Sequence, residues 1–301
     1  MATAGIIKSI IETSKEPSRE VSASSRKSIV SLLEGKIKLP GSVEALKSKF
    51  QAGQPFRHLV MDDMFSDDML DRLVGEKPPI TRDHWVHENN ERLRTYNLRS
   101  AVELGDVGFQ LTAFLHSAAF LYFLSEVTGI WELLPDPYLQ GGGYHVMPIG
   151  GKFDVHLDRS TAYETGLNRR LSLIVYLNKN WKHEYGGQLE LWNADATRCE
   201  EIIEPFFNRT VLFEITDMAY HGIPNPIACP KGRSRDCFLV YYHTARTPGQ
   251  DAAPPHTSIY GPSLYEKKGS ATRKFFRDLM PPLLLQALRK VGGPKKKRSS
   301  K

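Results

Sequence analysis

The sequence predicts an α+β fold with a mainly β core, built as a double sheet and flanked by helices. Two observations predict it. From Tyr138 to His243 the chain breaks into short apolar strands separated by glycine turns and polar loops, with no helical period between them. Helical patterns lie only outside this stretch, at Asp67 to Val74, Gly108 to Thr128 and Leu279 to Lys290.

In chain order, residues 1–50 are polar and serine-rich, and are expected to form a peripheral arm; Ser24 to Leu33 could make one short amphipathic helix. Pro55 to Phe65 reads as a strand entering the main domain, 51–246. Ser66 then caps a helix whose first turn carries Asp67 and Asp68, which suit the positive end of the helix dipole. Residues 77–100 carry no clear pattern. Gly108 to Thr128 places Phe109, Leu111, Phe114, Leu115, Ala118, Leu121, Tyr122 and Val127 at the spacing of one long buried helix stopped by Gly129.

The core, 138–246, opens with Gly141-Gly142-Gly143, Tyr144 to Met147 and a Gly150-Gly151 turn. Lys152 to Asp158 follows as a strand. Arg170 to Asn178 is apolar on both faces, as in a strand inside a sandwich. Gly186 to Trp192, Arg209 to Ile215 and Asp236 to His243 complete the sheets. Thr247 to Pro262 reads as a Pro/Ala-rich linker, and Pro281-Pro282 fit the first turn of a closing helix within 247–301.

Composition bounds the function classes. The chain has 301 residues, 41% hydrophobic and 25% charged, which suits a folded globular protein rather than a disordered one. No apolar run reaches the roughly 18 residues of a membrane span, so no membrane is expected as a partner. Lys8 and Glu12 interrupt the apolar Ile6 to Ile11, so no signal peptide is expected. Three cysteines, Cys199, Cys229 and Cys237, lack metal-type spacing and suit a reducing, cytoplasmic setting. The formal net charge of +6 is a property of the tail. Residues 289–301 hold seven basic side chains and no acid, and without them the charge falls to −1. Nucleic acid is therefore not expected as a partner. The Pro294-Lys-Lys-Lys-Arg298 patch reads either as a nuclear-import signal or as a soluble basic tail.

The chemistry centres on His156 and Asp158. Side chains two apart on a strand share a face, so an imidazole and a carboxylate can converge on one ion. A lone His-x-Asp is common by chance, and its bland reading is a solvated strand face. His221, 63 residues beyond Asp158 and across another strand, would complete a two-histidine, one-carboxylate set. That set leaves coordination positions open and suits non-haem Fe(II) oxygenases. By itself, His221 would more often be a satisfied interior histidine.

In this order the motifs resemble the Fe(II)- and 2-oxoglutarate-dependent dioxygenases, in particular the prolyl 4-hydroxylase-like branch. The matching residues are Tyr144 with the Gly150-Gly151 turn, His156-Leu-Asp158, Leu173 to Asn178, Gly186-Gly187, His221 and Arg235. The resemblance spans about 55–245 and is tightest over 144–243. It implies a double-stranded β-helix, or jelly roll. It implies Fe(II) on His156, Asp158 and His221, with 2-oxoglutarate and O2 as co-substrates and L-ascorbate as an accessory reductant. Arg235 would clamp the far carboxylate of 2-oxoglutarate, with Arg233 as its rival. Tyr176 would bond the same carboxylate or merely fill the barrel, and Tyr144 would line the pocket or merely pack. The implied reaction hydroxylates an unactivated C–H bond, most simply on a prolyl residue or proline-like group, and yields succinate and CO2. The substrate would be a protein, a peptide or a small molecule. A nucleic-acid demethylase, a silent binding module with this fold, and a zinc hydrolase are the rival readings. Arg159, Arg169 and Arg170 could hold an acidic substrate or lie in a solvated loop. Oligomeric state is not readable.

Overall fold

The computed structural model describes residues 33, 35–80, 85–246 and 255–261. The expected helices at Ser24 to Leu33 (beyond Leu33 itself) and Leu279 to Lys290, and the basic tail, lie outside the described residues.

Two antiparallel sheets face each other. The major one runs β1 (His58–Asp62), β10 (Arg209–Glu214), β7 (Asn168–Tyr176), β12 (Ser234–Thr244), β5 (Gly143–Pro148), β3 (Arg94–Leu98) and β2 (Val86–Asn89), with β4 (Leu134–Pro135) also paired to β12. The minor one runs β13 (Ile259–Tyr260), β6 (Phe153–Leu157), β11 (His221–Ile223), β8 (Leu189–Trp192) and β9 (Cys199–Ile203). Neighbours in space are distant in sequence, as the jelly-roll expectation requires.

Strand alternation divides the core in two. On β12, Phe238, Val240 and Tyr242 face the helices, while Cys237, Leu239 and Tyr241 face the other sheet. On β7, Leu173 and Val175 face the helices, while Ile174 and Tyr176 face inward. Both faces of the major sheet are therefore buried, which explains its near-continuous apolar strands. Each such Leu, Phe or Val contributes about 1.5–3 kcal/mol by leaving water.

Four helices among the described residues cover the outer face: α1 (Val43–Ala52), α2 (Asp67–Glu76), α3 (Gly105–Leu115) and α4 (Ala118–Thr128). The Ser66 hydroxyl accepts the Met69 N–H at 3.2 Å, so α2 starts where its cap predicts. The single helix expected from Gly108 to Thr128 is instead two. Ser117 leaves the helical conformation for the extended region (φ −68°, ψ 151°), and its hydroxyl accepts the Phe120 N–H, which starts α4 afresh. The apolar stripe runs straight through this break, so periodicity alone does not reveal it.

The domain limits at 51 and 246 also need correction. Leu46 and Phe50 of α1 are buried in the helix-side core, so the folded body includes at least 43–52. Within the expected linker, Ile259 and Tyr260 pair with Leu157 and His156 on β6. The linker's far end is thus a strand of the minor sheet.

Candidate metal and co-substrate site

His156 lies on β6, Asp158 just after it, and His221 opens β11. The two strands are antiparallel neighbours with His221 directly opposite His156. Gly222 makes this close pairing feasible, because a Cβ there would lie 2.8 Å from the Val155 Cα. One ligating atom from each of His156, Asp158 and His221 falls within 4.8 Å of the others, and all three residues are buried.

The histidines are oriented alike. Nδ1 of His156 lies 2.8 Å from the Asp154 carbonyl, and Nδ1 of His221 lies 2.9 Å from the Ala219 carbonyl. A carbonyl only accepts, so each Nδ1 carries a hydrogen, which leaves Nε2 as the ligating atom of each ring. Both Nε2 atoms face Asp158, at 3.6 Å from Oδ1 for His156 and 3.8 Å from Oδ2 for His221. Phe153 stacks on the His156 ring at 3.7 Å between centroids and limits its rotation.

The electrostatics suit a cation. Burial pushes the His221 imidazole down to about 4, and the nearby His156 pushes the same way, so the ring is neutral at ordinary pH. Burial alone would raise the Asp158 carboxyl; the imidazoles and the Arg169 charge outweigh it and hold the group ionised, below the usual range. Asp158 Oδ2 is buried with no hydrogen-bond partner. A buried carboxylate with one orphaned oxygen, set against the Nε2 atoms of two imidazoles, is an unfavourable arrangement without an ion and a fitting one with it.

Arg235 opens the inward face of β12 and is 2% exposed. Its Nε donates to the Gly187 carbonyl at 2.8 Å, and its Nη2 donates to the Tyr176 hydroxyl at 3.2 Å. Among the described residues no acidic side chain pairs with it. A buried guanidinium without a carboxylate is costly, so an anion fits here. Gly187 keeps this space open: it has φ +82°, and a Cβ on it would sit 3.1 Å from the Arg235 Cδ and 2.7 Å from the Ile227 Cδ1. Tyr176 is fully buried, and burial pushes its phenol up to about 12 against the pull of Arg235, so it remains protonated. Arg233 is held elsewhere, donating to the Lys179 and Asn180 carbonyls and lying over Trp181 and Tyr185.

Residues 142–243, about a third of the chain, match the family model described as the 2OG-Fe(II) oxygenase superfamily. This stretch belongs to the 2OG-Fe(II) oxygenase superfamily. For this stretch the match implies an oxidoreductase chemistry with Fe(II) as cofactor and 2-oxoglutarate and O2 as co-substrates, and it contains His156, Asp158 and His221. The solved structures it resembles include a Pseudomonas putida prolyl-4-hydroxylase, with 18% identity, a TM-score of 0.49, and coverage of 67% of this chain and 100% of that one. A prolyl hydroxylase from Trichoplax adhaerens, in complex with a hypoxia inducible factor oxygen degradation domain peptide fragment, gives 16%, 0.46, and coverage of 67% and 90%. A Phytophthora capsici prolyl 4-hydroxylase gives 19%, 0.46, and coverage of 79% and 77%. No curated protein matches the chain.

One expected site residue of this oxygenase is elsewhere. Tyr144 does not line the pocket: it lies on the helix side of β5, packs edge-on against Phe238, and its hydroxyl donates to the Leu73 carbonyl at 2.8 Å. Its neighbour His145, which alternation turns to the opposite face, pairs with Cys237 and feels the charges of both Arg235 and Asp158. Burial pushes the His145 ring down to about 4. The loop arginines divide as well. Arg169 is buried, Arg170 reaches Glu214 at 3.7 Å, and Arg159 lies over the Tyr163 ring. Tyr241 was missed by sequence reading, although it shares the parity of Arg235 on one strand.

Proposed function

We propose that this chain is an Fe(II)- and 2-oxoglutarate-dependent dioxygenase that hydroxylates an unactivated C–H bond of a prolyl residue or a proline-like group, with succinate and CO2 as co-products. The observation that carries the reading is the coincidence, in one barrel, of two imidazoles and an ionised carboxylate within 4.8 Å and a buried guanidinium that no acid among the described residues pairs. The prolyl assignment rests on the resemblance of the ordered motifs to the prolyl 4-hydroxylase-like branch.

In this reading His156, Asp158 and His221 hold the iron. When bound, iron supplies the activation of O2 that couples decarboxylation of 2-oxoglutarate to C–H hydroxylation. The protein's own share is positional. The Nδ1–H bonds of the two histidines keep their Nε2 lone pairs aimed at one point. Arg235 holds the far carboxylate of 2-oxoglutarate through its charge and its fork of N–H donors, and the protonated Tyr176 hydroxyl adds a donor to the same group. The apolar inward residues Ile174, Leu191, Val211 and Leu239 exclude water and strengthen that ion pair. Ascorbate would be an accessory reductant in this reading.

The test is formation of succinate from 2-oxoglutarate by the full chain with added Fe(II), with and without prolyl peptides. The expected result is turnover that His156→Ala and Asp158→Ala abolish. Succinate formation unaffected by either substitution overturns the metal assignment. Turnover that small-molecule substrates stimulate and prolyl peptides do not overturns the prolyl assignment alone.

A further inference from the structure

Tyr241 sits on the inward face of β12, three alternations beyond Arg235, and reaches across to the minor sheet. Its hydroxyl lies 3.4 Å from Asp158 Oδ1. The opposite carboxylate oxygen, Oδ2, has no partner and lies 3.8 Å from the His221 Nε2. The phenol is itself restrained. The Arg169 guanidinium lies over its ring at 3.7 Å from the centroid, and Arg169 Nη2 is tied to the Gln140 carbonyl at 2.7 Å. All three side chains are under one-tenth exposed.

The terminal sp3–sp2 torsion of an aspartate is broad, so its carboxylate can rotate unless a partner holds it. In the rotation observed, Oδ1 lies 3.6 Å from the His156 Nε2 and the bare Oδ2 lies 3.8 Å from the His221 Nε2. A phenol on the far sheet that engages Oδ1 selects that rotation, and a stacked guanidinium keeps the phenol from swinging away. We infer that Tyr241 is a positioning residue for Asp158: its hydroxyl holds Oδ1, so that Oδ2 is the oxygen offered to the metal, and Arg169 locks the Tyr241 ring in place. The inference rests on the metal-site reading above and adds a residue from the opposite sheet to it. It also gives Arg169 a structural duty in place of the acidic-substrate role considered from sequence. Outer-shell hydrogen bonds of this kind are worth roughly 10–100-fold in metal affinity.

Mn(II) is the probe, titrated into metal-free full-length protein and followed by the electron paramagnetic resonance of the free ion. Tyr241→Phe keeps the ring and the stack and removes only the hydroxyl. The expected result is Mn(II) affinity roughly 10-fold or more below that of the unaltered chain, at an unchanged metal-free melting temperature. In an Asp158→Ala background, which leaves only the two imidazoles, Tyr241→Phe has no further effect, because its partner is gone. Equal Mn(II) affinity with and without the hydroxyl overturns the positioning role while leaving the metal site intact. An equal loss in both backgrounds also overturns it, since the hydroxyl then acts through something other than Asp158. Failure of the unaltered chain to bind Mn(II) overturns the metal-site reading itself, and this inference with it.

Discussion

His221 stands directly opposite His156 across the antiparallel pairing of β11 and β6, with 4.6 Å between ring centroids. The pairing turns a separation of 65 residues along the chain into side-by-side imidazoles. A shift of one residue in this register would move His221 to the other face of the sheet, so the metal site depends on the register as much as on the ligands. Gly222→Val is therefore expected to destroy metal binding without touching a ligand, since its side chain would collide with the Val155 backbone. Mn(II) titration of the variant, with circular dichroism as a check on folding, measures this.

Arg235→Lys keeps the charge and removes the fork that spans the Gly187 carbonyl and the Tyr176 hydroxyl. A lost charge-assisted hydrogen bond is worth about 1.5–3 kcal/mol. The KM for 2-oxoglutarate is expected to rise roughly 10- to 100-fold, with Mn(II) affinity unchanged. Arg233→Lys, outside the barrel, is expected to leave that KM within about 2-fold.

Gly187→Ala places a methyl group against the Arg235 stem and the Ile227 tip at φ +82°. Strain at such a backbone conformation costs on the order of 1–3 kcal/mol. The melting temperature is expected to fall by roughly 2–4 °C for each kcal/mol lost. The 2-oxoglutarate KM should rise as well, because the same atoms seat the clamp. A lower melting point with an unchanged KM would detach Gly187 from the co-substrate site.

Tyr144→Phe tests the corrected placement of that residue. Among the described residues its hydroxyl bonds the Leu73 carbonyl alone, on the helix side. The substitution is expected to cost about 1 kcal/mol of stability and to leave the KM for 2-oxoglutarate unchanged. A raised KM in steady-state assays would return Tyr144 to the pocket.

His116 and His243 lie near each other at the end of β12, and burial pushes each imidazole down to about 4. An unfolded histidine titrates near 6.5. Between about 6.5 and 4 the unfolded chain therefore holds more protons than the folded one, and stability falls as pH drops through that window. The urea midpoint of metal-free protein is expected to be lower at pH 5 than at pH 7.5. His243→Gln should shrink that difference, and an undiminished difference would rule out this source.

Much of the fold was legible because strand and helix periods are local. The strands at Arg170 to Asn178, Arg209 to Ile215 and Asp236 to His243, the Ser66 cap and the Gly129 stop all appear close to where the pattern predicts. The break at Ser117 was hidden because an apolar stripe on either side of it looks continuous. The strand at Ile259–Tyr260 was hidden because its partner is the distant β6.

From sequence alone, His156 and Asp158 had to share a face, since strand geometry turns residues two apart the same way. The type of ligand set followed from residue chemistry, and the need for a cation toward an acidic co-substrate was implied by the family resemblance. Alternation states which residues agree in direction along one strand; it does not state which direction is the cavity. Only packing of the two sheets decided that His145 faces inward and Tyr144 outward, that Arg235 is enclosed while Arg233 is not, and that Tyr241 meets Asp158. Those choices depend on register and on which face the helices cover, and both are set by contacts between residues far apart in the chain.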